Sequence, residues 1–277
     1  MNRCPVLVVD DDASLRRVMK MQLEVAGYSV LLSASRSIAR REVEVVRMFR
    51  QRRVDAVIVT ASRVGVLYGD ALEQFGVPIV LINNQQDGKY LYSIAVDDTQ
   101  GAELAVEHLL GLGHRRIGYI GSSARPVSCK RREAGYRIAL GRRGATPDDG
   151  LVVSPHAPTD LEVGRMGMRV LAPAHPSAVF AYNDQIAIGA MLEARKLGLA
   201  VPDQLSFVGY DDIEATELVL PSLTTVRQPK AEMGRAAMAM VLALLDGEQV
   251  HNQWLPCELV VRESTVPWPP EARPVTR

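Results

Sequence analysis

Short aliphatic runs alternate with amphipathic stretches along this chain. In the first hundred residues the runs are VLVV (6–9), YSVLLSA (28–34), DAVIVTA (55–61), PIVLINN (78–84) and YSIAV (92–96). Between them lie SLRRVMKMQLEVAG (14–27), ARREVEVVRMFRQRR (39–53) and YGDALEQFG (68–76). Continuous apolar runs separated by helical periods predict a parallel sheet covered on both faces. Gly27 and Gly76 stand where helices should stop, just before the next strand. Val43 and Val46 share one stripe of the second helical stretch, which therefore should lie on the sheet.

The rhythm restarts at DDTQGAELAVEHLLGLGHRRIGYIGS (97–122). Asp98 or Thr99 is a candidate cap for a helix from about Gly101 to Leu112, and RIGYIG follows as a strand. Helical stretches at 130–144, 161–172 and 184–198 then alternate with strands at 150–155, 178–183 and 205–212. LTTVRQP, a last helix from Lys230 and a terminal strand, QWLPCELVVRESTV (253–266), complete the series. The pattern predicts an α/β fold of two doubly wound parallel-sheet lobes joined by three crossovers. Residues 1–96 and 228–250 form the first lobe, 97–227 and 251–266 the second, and 267–277 a loose Pro-rich tail.

Composition narrows the function classes. Lysine plus arginine equals aspartate plus glutamate at 32 each, and this balance argues against a dedicated nucleic-acid surface. Cys4, Cys129 and Cys257 are too scattered for a disulfide framework or a zinc site. No apolar run reaches the roughly 18 residues that span a bilayer, and no signal peptide opens the sequence, so a cytoplasmic protein without membrane contact is expected. There is no G-x-S-x-G elbow and no P-loop, and the five histidines lack metal spacing. The expectation is a protein that is not an enzyme and has no cofactor.

Polar residues gather after the apolar strands: Asp10 to Asp12, Thr60, Asn83, Asp97, Asn183, Asp211 and Asp212. In tandem α/β lobes those strand ends border the ligand site. From about Ala26 onward the chain resembles the ligand-binding core of the lac repressor family. The resemblance is carried by AGYSVLLSAS, RRVDAVIVTAS, VDDTQGAELAVEHLLGLGHRRIGYIG, RREAGYRIAL, AVFAYNDQIAIGAMLEARKLGLAVPDQLSFVGYDD and PSLTTVRQP with MGRAA, in family order. It implies a type I periplasmic-binding-protein-like fold that closes on a small-molecule effector, mostly a sugar or a purine. It also implies ligand-binding roles for Arg132 of RREAG, Asn183 of AYND, Asp211 of GYDD, Asp97 of AVDD and Gln228 of TTVRQP. Arginine can donate a bidentate pair to hydroxyls or a carboxylate, and asparagine both donates and accepts. The aromatic platform found in many members falls near Thr159 and is missing.

Two departures from the family stand out. The helix-turn-helix headpiece and hinge helix that members carry are not in this sequence, so DNA binding by this chain is not expected. The first unit, VLVVDDDASLRRVMKMQLEVAGYSV, resembles instead the start of a response-regulator receiver with a flavodoxin-like fold. There Asp11 and Asp12 would be the acidic pair for Mg²⁺, a vestigial site with weak metal binding, because Thr60 falls where the phosphoacceptor aspartate would stand. Residues 1–30 then read as a receiver-like fragment joined to a repressor-type core, a chimera either engineered or natural.

Three function classes follow: an effector-binding regulator core, an engineered fold chimera without retained binding, and a phosphorelay receiver, in that order. The helix Glu232 to Leu245 and the replaced first helix should supply the dimer surface, so the protein is expected to be a homodimer or a monomer.

Overall fold

The computed structural model describes residues 6–9, 21, 24, 25, 30–33, 54–60, 77–83, 91–144 and 148–269. The chain forms two compact units, Met1–Val96 with Pro229–Leu255, and Asp97–Gln228 with Pro256–Arg277. The strands are β1 (Val6–Val9), β2 (Val30–Ser33), β3 (Ala56–Thr60), β4 (Ile79–Ile82), β5 (Leu91–Val96), β6 (Ile117–Ile120), β7 (Val152–Val153), β8 (Ala178–Ala181), β9 (Ser206–Asp211), β10 (Thr224–Arg227), β11 (Gln253–Leu255) and β12 (Glu258–Val260). The helices with described bounds are α1 (Asp98–Gly111), α2 (Pro126–Arg142), α3 (Asp160–Leu171), α4 (Asp184–Lys196), α5 (Ala215–Leu218) and α6 (Lys230–Leu245).

The first unit holds a six-stranded sheet in the order β11-β5-β4-β3-β1-β2, all parallel. β1 pairs β2 on one side (Val6 opposite Val30) and β3 on the other (Val6 opposite Ala56), so the winding reverses at β1. Val57, Ile58, Ile79, Val80, Leu81 and Ile94 are wholly buried. α6 turns Met233, Ala237, Met240 and Val241 inward and packs on β3, β4 and β5. The Val43 and Val46 stripe lies outside the described residues.

The second unit repeats the plan as β12-β10-β9-β8-β6-β7, with β12 antiparallel to β10. Tyr119, Tyr136, Phe180, Phe207 and Tyr210 fill its interior. α3 buries Val163, Gly164, Gly167, Met168 and Leu171, one stripe of a 3.6-residue period, while Met166 and Val170 stay exposed. α3 and α4 pack backbone to backbone. A Cβ on Gly164 would collide with the Ile186 carbonyl, and one on Gly189 with the Leu161 carbonyl.

Several expected boundaries move. The helix expected from Gly101 begins at Asp98, because Asp97 caps it by accepting from the Thr99 and Gln100 amides at 3.1 and 3.0 Å. The single terminal strand is two strands in two sheets. β11 pairs β5 in the first unit and β12 pairs β10 in the second, so the stretch 251–266 does not belong wholly to the second lobe. Pro256 explains the break, since it lacks the amide a continuing ladder needs. Gln228 falls in the second unit and Pro229 opens the return to the first.

The tail expected to be loose is fixed where it begins. The Trp268 amide donates to the Leu112 carbonyl at 2.7 Å, and its ring stacks on His114 with centroids 5.8 Å apart. Gly113, at φ +93°, lets the Trp268 carbonyl approach where any Cβ would clash. His108 and His114 hold the same segment through the Thr265 hydroxyl and the Val266 carbonyl, both at 3.0 Å. Burial lowers the pKa of both imidazoles. Residues 270–277 lie outside the described residues.

Candidate functional site

The parallel strands β6, β8, β9 and β10 end on one edge of the second sheet, and the polar groups of this unit converge there. Arg132 comes from α2 and is only 4% exposed. Its Nε donates to Asp98 Oδ1 at 2.7 Å and its Nη1 to the Tyr182 carbonyl at 2.6 Å. The guanidinium lies 3.5 Å from the Tyr210 ring centroid and 4.4 Å from that of Tyr182. Asp211 Oδ1 stands 3.6 Å from Nη1. Burial alone would pull the guanidinium pKa down, but Asp98, the two tyrosines and Asp211 hold it well above its ordinary value. The arginine is therefore a permanent cation, and each ring face adds about 0.5–2 kcal/mol of attraction.

Asn183 caps α4. Its Oδ1 accepts from the Ile186 amide at 2.9 Å and its Nδ2 donates to Asp160 Oδ2 at 2.8 Å. Asp160, in the first turn of α3, also accepts from Arg125 Nη1 at 3.2 Å. Asp211 ends β9 with φ +111° and accepts from Gln228 Nε2 at 2.5 Å. With 28% of its side chain exposed it is the most accessible carboxylate of this group, against 10% for Asp98 and 9% for Asp160. Asp212 faces away into an ion cluster. Its burial is outweighed by bonds from Arg227 at 2.6 Å and Arg262 at 2.8 Å, so its pKa is lowered.

Asp184 lies beneath this group, 1% exposed. Thr225 Oγ1 donates to its Oδ1 at 2.5 Å and the Ile213 amide to its Oδ2 at 2.9 Å, and a Cβ on Gly209 would strike that Oδ1. Burial, with the charge of Asp211 behind it, pushes the Asp184 carboxyl up to about 7. A raised carboxyl pKa contributes stability that is complete below the unfolded value near 3.8 and lost as pH rises through about 7. The stability of the wild type relative to Asp184→Asn should therefore fall between pH 4 and 7 and level off above. Urea midpoints across that range check it, and a difference constant with pH would refute it.

Of the residues expected from the sequence, Arg132, Asp211, Gln228 and Asn183 come together at this edge. Arg132 is not an exposed fork, because Asp98 and Tyr182 already engage it. Asp97 is exposed and works as a helix cap. Thr159, at the place expected for an aromatic platform, caps α3 by accepting from the Glu162 amide at 3.2 Å. The stacking rings are Tyr182 and Tyr210, each one residue before a residue already singled out in AYND and GYDD. Asp98, Asp160 and Arg125 were missed as well. Asp98 had a signal, the second acid of VDD, but was read only as a cap. Asp11 and Asp12 lie outside the described residues, as does the Thr60 side chain. Among the described residues no three His, Cys, Asp or Glu are grouped to hold a metal ion, and no helix is long and apolar enough to cross a membrane.

Two α/β units that reverse their winding at the first strand, linked by three passages of chain, define the class of type I periplasmic-binding-protein-like folds. Residues 106–265 match the family described as periplasmic binding protein-like domain. The chain is 31% identical over 243 residues to the transcriptional repressor CytR of Escherichia coli K12, covering 86% of this chain and 71% of that protein. It superposes on the crystal structure of the transcription regulator GntR from Chromobacterium violaceum with a TM-score of 0.81 and 29% identity, over 94% of this chain and 98% of that one. A complex of the transcriptional regulator CelR with cellobiose gives a TM-score of 0.81 at 26% identity, covering 95% and 85%. The chain belongs to the periplasmic binding protein-like family, as a ligand-binding core of the kind found in lac repressor (LacI) family regulators.

Proposed function

We propose that this protein is the effector-binding core of a transcriptional regulator and takes a polar small molecule, a sugar or a purine-like compound, at the strand-end edge of its second unit. The observation that supports it is the gathering of Arg132, Asp211, Gln228 and Asn183 there with two tyrosine rings. Asp211, the most accessible of the carboxylates, accepts from ligand hydroxyls. Arg132, fixed by Asp98 and the rings, supplies the cation behind it. A rigid polar group of this kind selects ligands by the number and direction of their hydroxyls. That the similar CelR structure is a complex with cellobiose adds support.

Thermal melts of the purified chain against sugars, purines and Mg²⁺ test this reading. A ligand at about 100 times its dissociation constant adds about 2.7 kcal/mol, enough to move the midpoint by several degrees. A shift with one sugar or purine supports it. A cooperative melt that none of them moves favours a folded chimera without binding, and a shift with Mg²⁺ alone favours the receiver-like reading of Asp11 and Asp12. The likeness to GntR and CelR structures covers more of the chain than residues 31–277 contain, which supports treating the first unit as part of this fold. Light scattering in the same buffer separates homodimer from monomer.

A further inference from the structure

We propose that Asp184, although buried beneath the site, aims Asp211 at the effector by pinning the turn that follows β9. The inference rests on the effector-binding reading above and concerns that same site. Asp211 and Asp212, neither of them glycine, have φ of +111° and +49° in this turn. Two successive residues with a Cβ at positive φ are costly, and such a turn persists only where its surroundings hold it. The direction of the Asp211 side chain follows from that backbone. Whatever holds the turn therefore also sets where the carboxylate points.

The turn is gripped from both sides. On one side the Asp212 carboxylate accepts from Arg227 at 2.6 Å and from Arg262 at 2.8 Å. On the other, Asp184 Oδ2 accepts from the Ile213 amide at 2.9 Å, one residue past the pair at positive φ. Asp184 is itself fixed in place. It opens α4, its Oδ1 accepts from Thr225 Oγ1 at 2.5 Å, and β9 passes so close that a Cβ on Gly209 would strike it. At 1% exposure Asp184 is out of reach of a ligand. It is a positioning residue that acts through the turn.

The cations of the surrounding elements are engaged elsewhere. Arg227 and Arg262 bind Asp212, with Glu258 and Glu217 on their exposed sides. Arg132 binds Asp98 and Asp211, and Arg125 binds Asp160. Burial, and then the like charge of Asp211, hold the Asp184 carboxyl at about 7. Once protonated, its Oδ1 can donate to Thr225 while Oδ2 still accepts from Ile213, so the neutral form keeps the pin. A ligand over Asp211 removes water that screens the two carboxylates from each other, and the complex therefore favours neutral Asp184. Affinity should be full below about 7 and fall as pH rises through that value.

Asp184→Asn mimics the neutral carboxyl and keeps both bonds, whereas Asp184→Ala removes the pin. Hydrogen exchange on the full chain reads the turn without ligand. The Ile213 amide should exchange about tenfold or more faster in Asp184→Ala than in the wild type or Asp184→Asn. Calorimetry with ribose, cellobiose and adenosine then reads the site. For the probe that binds, Asp184→Ala should weaken affinity about tenfold or more. Wild-type affinity should fall about threefold or more between about pH 6 and pH 8, while Asp184→Asn keeps its low-pH affinity throughout. A merely structural role would lower stability and leave that profile unmoved. Equal Ile213 exchange in all three proteins, or a folded Asp184→Ala that binds like the wild type, overturns the proposal. So does a wild-type profile that is flat or that Asp184→Asn shares, an outcome readable even if Asp184→Ala fails to fold. If none of the three probes binds the wild type, the effector-binding reading itself falls, and this inference falls with it whatever the Ile213 exchange shows.

Discussion

Gly164→Ala is expected to destabilise the second unit by about 3 kcal/mol or more, a midpoint drop of roughly 6–12 °C for a unit of this size. The new methyl would meet the Ile186 carbonyl and come within 2.9 Å of the Ala190 and Ile186 backbones. Those atoms belong to α4 or lie at its start and cannot rotate aside as a side chain can. Gly189→Ala should cost a similar amount, because its methyl strikes the Leu161 carbonyl from the other side of the same contact. Once either methyl has forced α3 and α4 apart, the second finds room already made. The double variant should therefore lose clearly less than the sum of the single losses. Gly141→Ala is the matched control. It is helical, nothing lies within 4 Å of its would-be Cβ, and alanine there should gain about 0.5–1 kcal/mol. Urea and thermal midpoints of the wild type and the four variants decide it. A mild effect at Gly164 together with full additivity would mean that the helices are not packed backbone to backbone.

The fold was legible because it rests on simple periodicities. VLVV, DAVIVTA, PIVLINN and AVFAYN are continuous apolar runs, and only a sheet covered on both faces buries them all. The strand order needed one further fact, the reversal at β1 and β6, which the resemblance carried and the periodicity did not. The break between β11 and β12 was hidden although Pro256 marks it. QWLPCELVV reads as apolar on both sides of the proline, and nothing local says that the two halves pair with different sheets. The anchoring of Trp268 was also out of sight, since it depends on Leu112 and His114, more than 150 residues away.

The site was legible in its types and much less in its pairings. Strand-end polarity singled out Asn183 and Asp211, and the family resemblance Arg132 and Gln228; the structure places all four at one edge of the second unit. What each side chain bonds to is a tertiary property. Asp97 and Asp98 are adjacent acids at the start of one helix, yet the first caps that helix in water and the second is buried against the arginine. Successive residues at a helix start point in different directions, and only the position of α2 decides which of the two meets a cation. Likewise Tyr210 reaches Arg132 because Gly101, on α1, leaves space for its ring.

Arg132→Ala is expected to cost about 3–5 kcal/mol of stability and to abolish ligand binding. Truncation leaves Asp98 buried without its cation, removes the group stacked between Tyr182 and Tyr210, and opens a cavity behind Asp211. The two losses separate by a second substitution. Taking a partner away from a buried ion pair is costly chiefly because of the charge left behind, whereas apolar replacement of both partners is often close to neutral. Arg132→Met combined with Asp98→Leu should therefore recover most of the stability lost in Arg132→Ala. It should recover none of the binding, since no cation then stands behind Asp211. Urea midpoints and calorimetry on wild type, Arg132→Ala, Arg132→Met, Asp98→Leu and the Arg132→Met/Asp98→Leu pair give the coupling energy and the affinities together. Recovery of stability without binding would assign the arginine to recognition and not to folding. Failure to recover stability would mean that the guanidinium is needed as packing against the tyrosine rings, and that the fold itself depends on the cation at this strand-end edge.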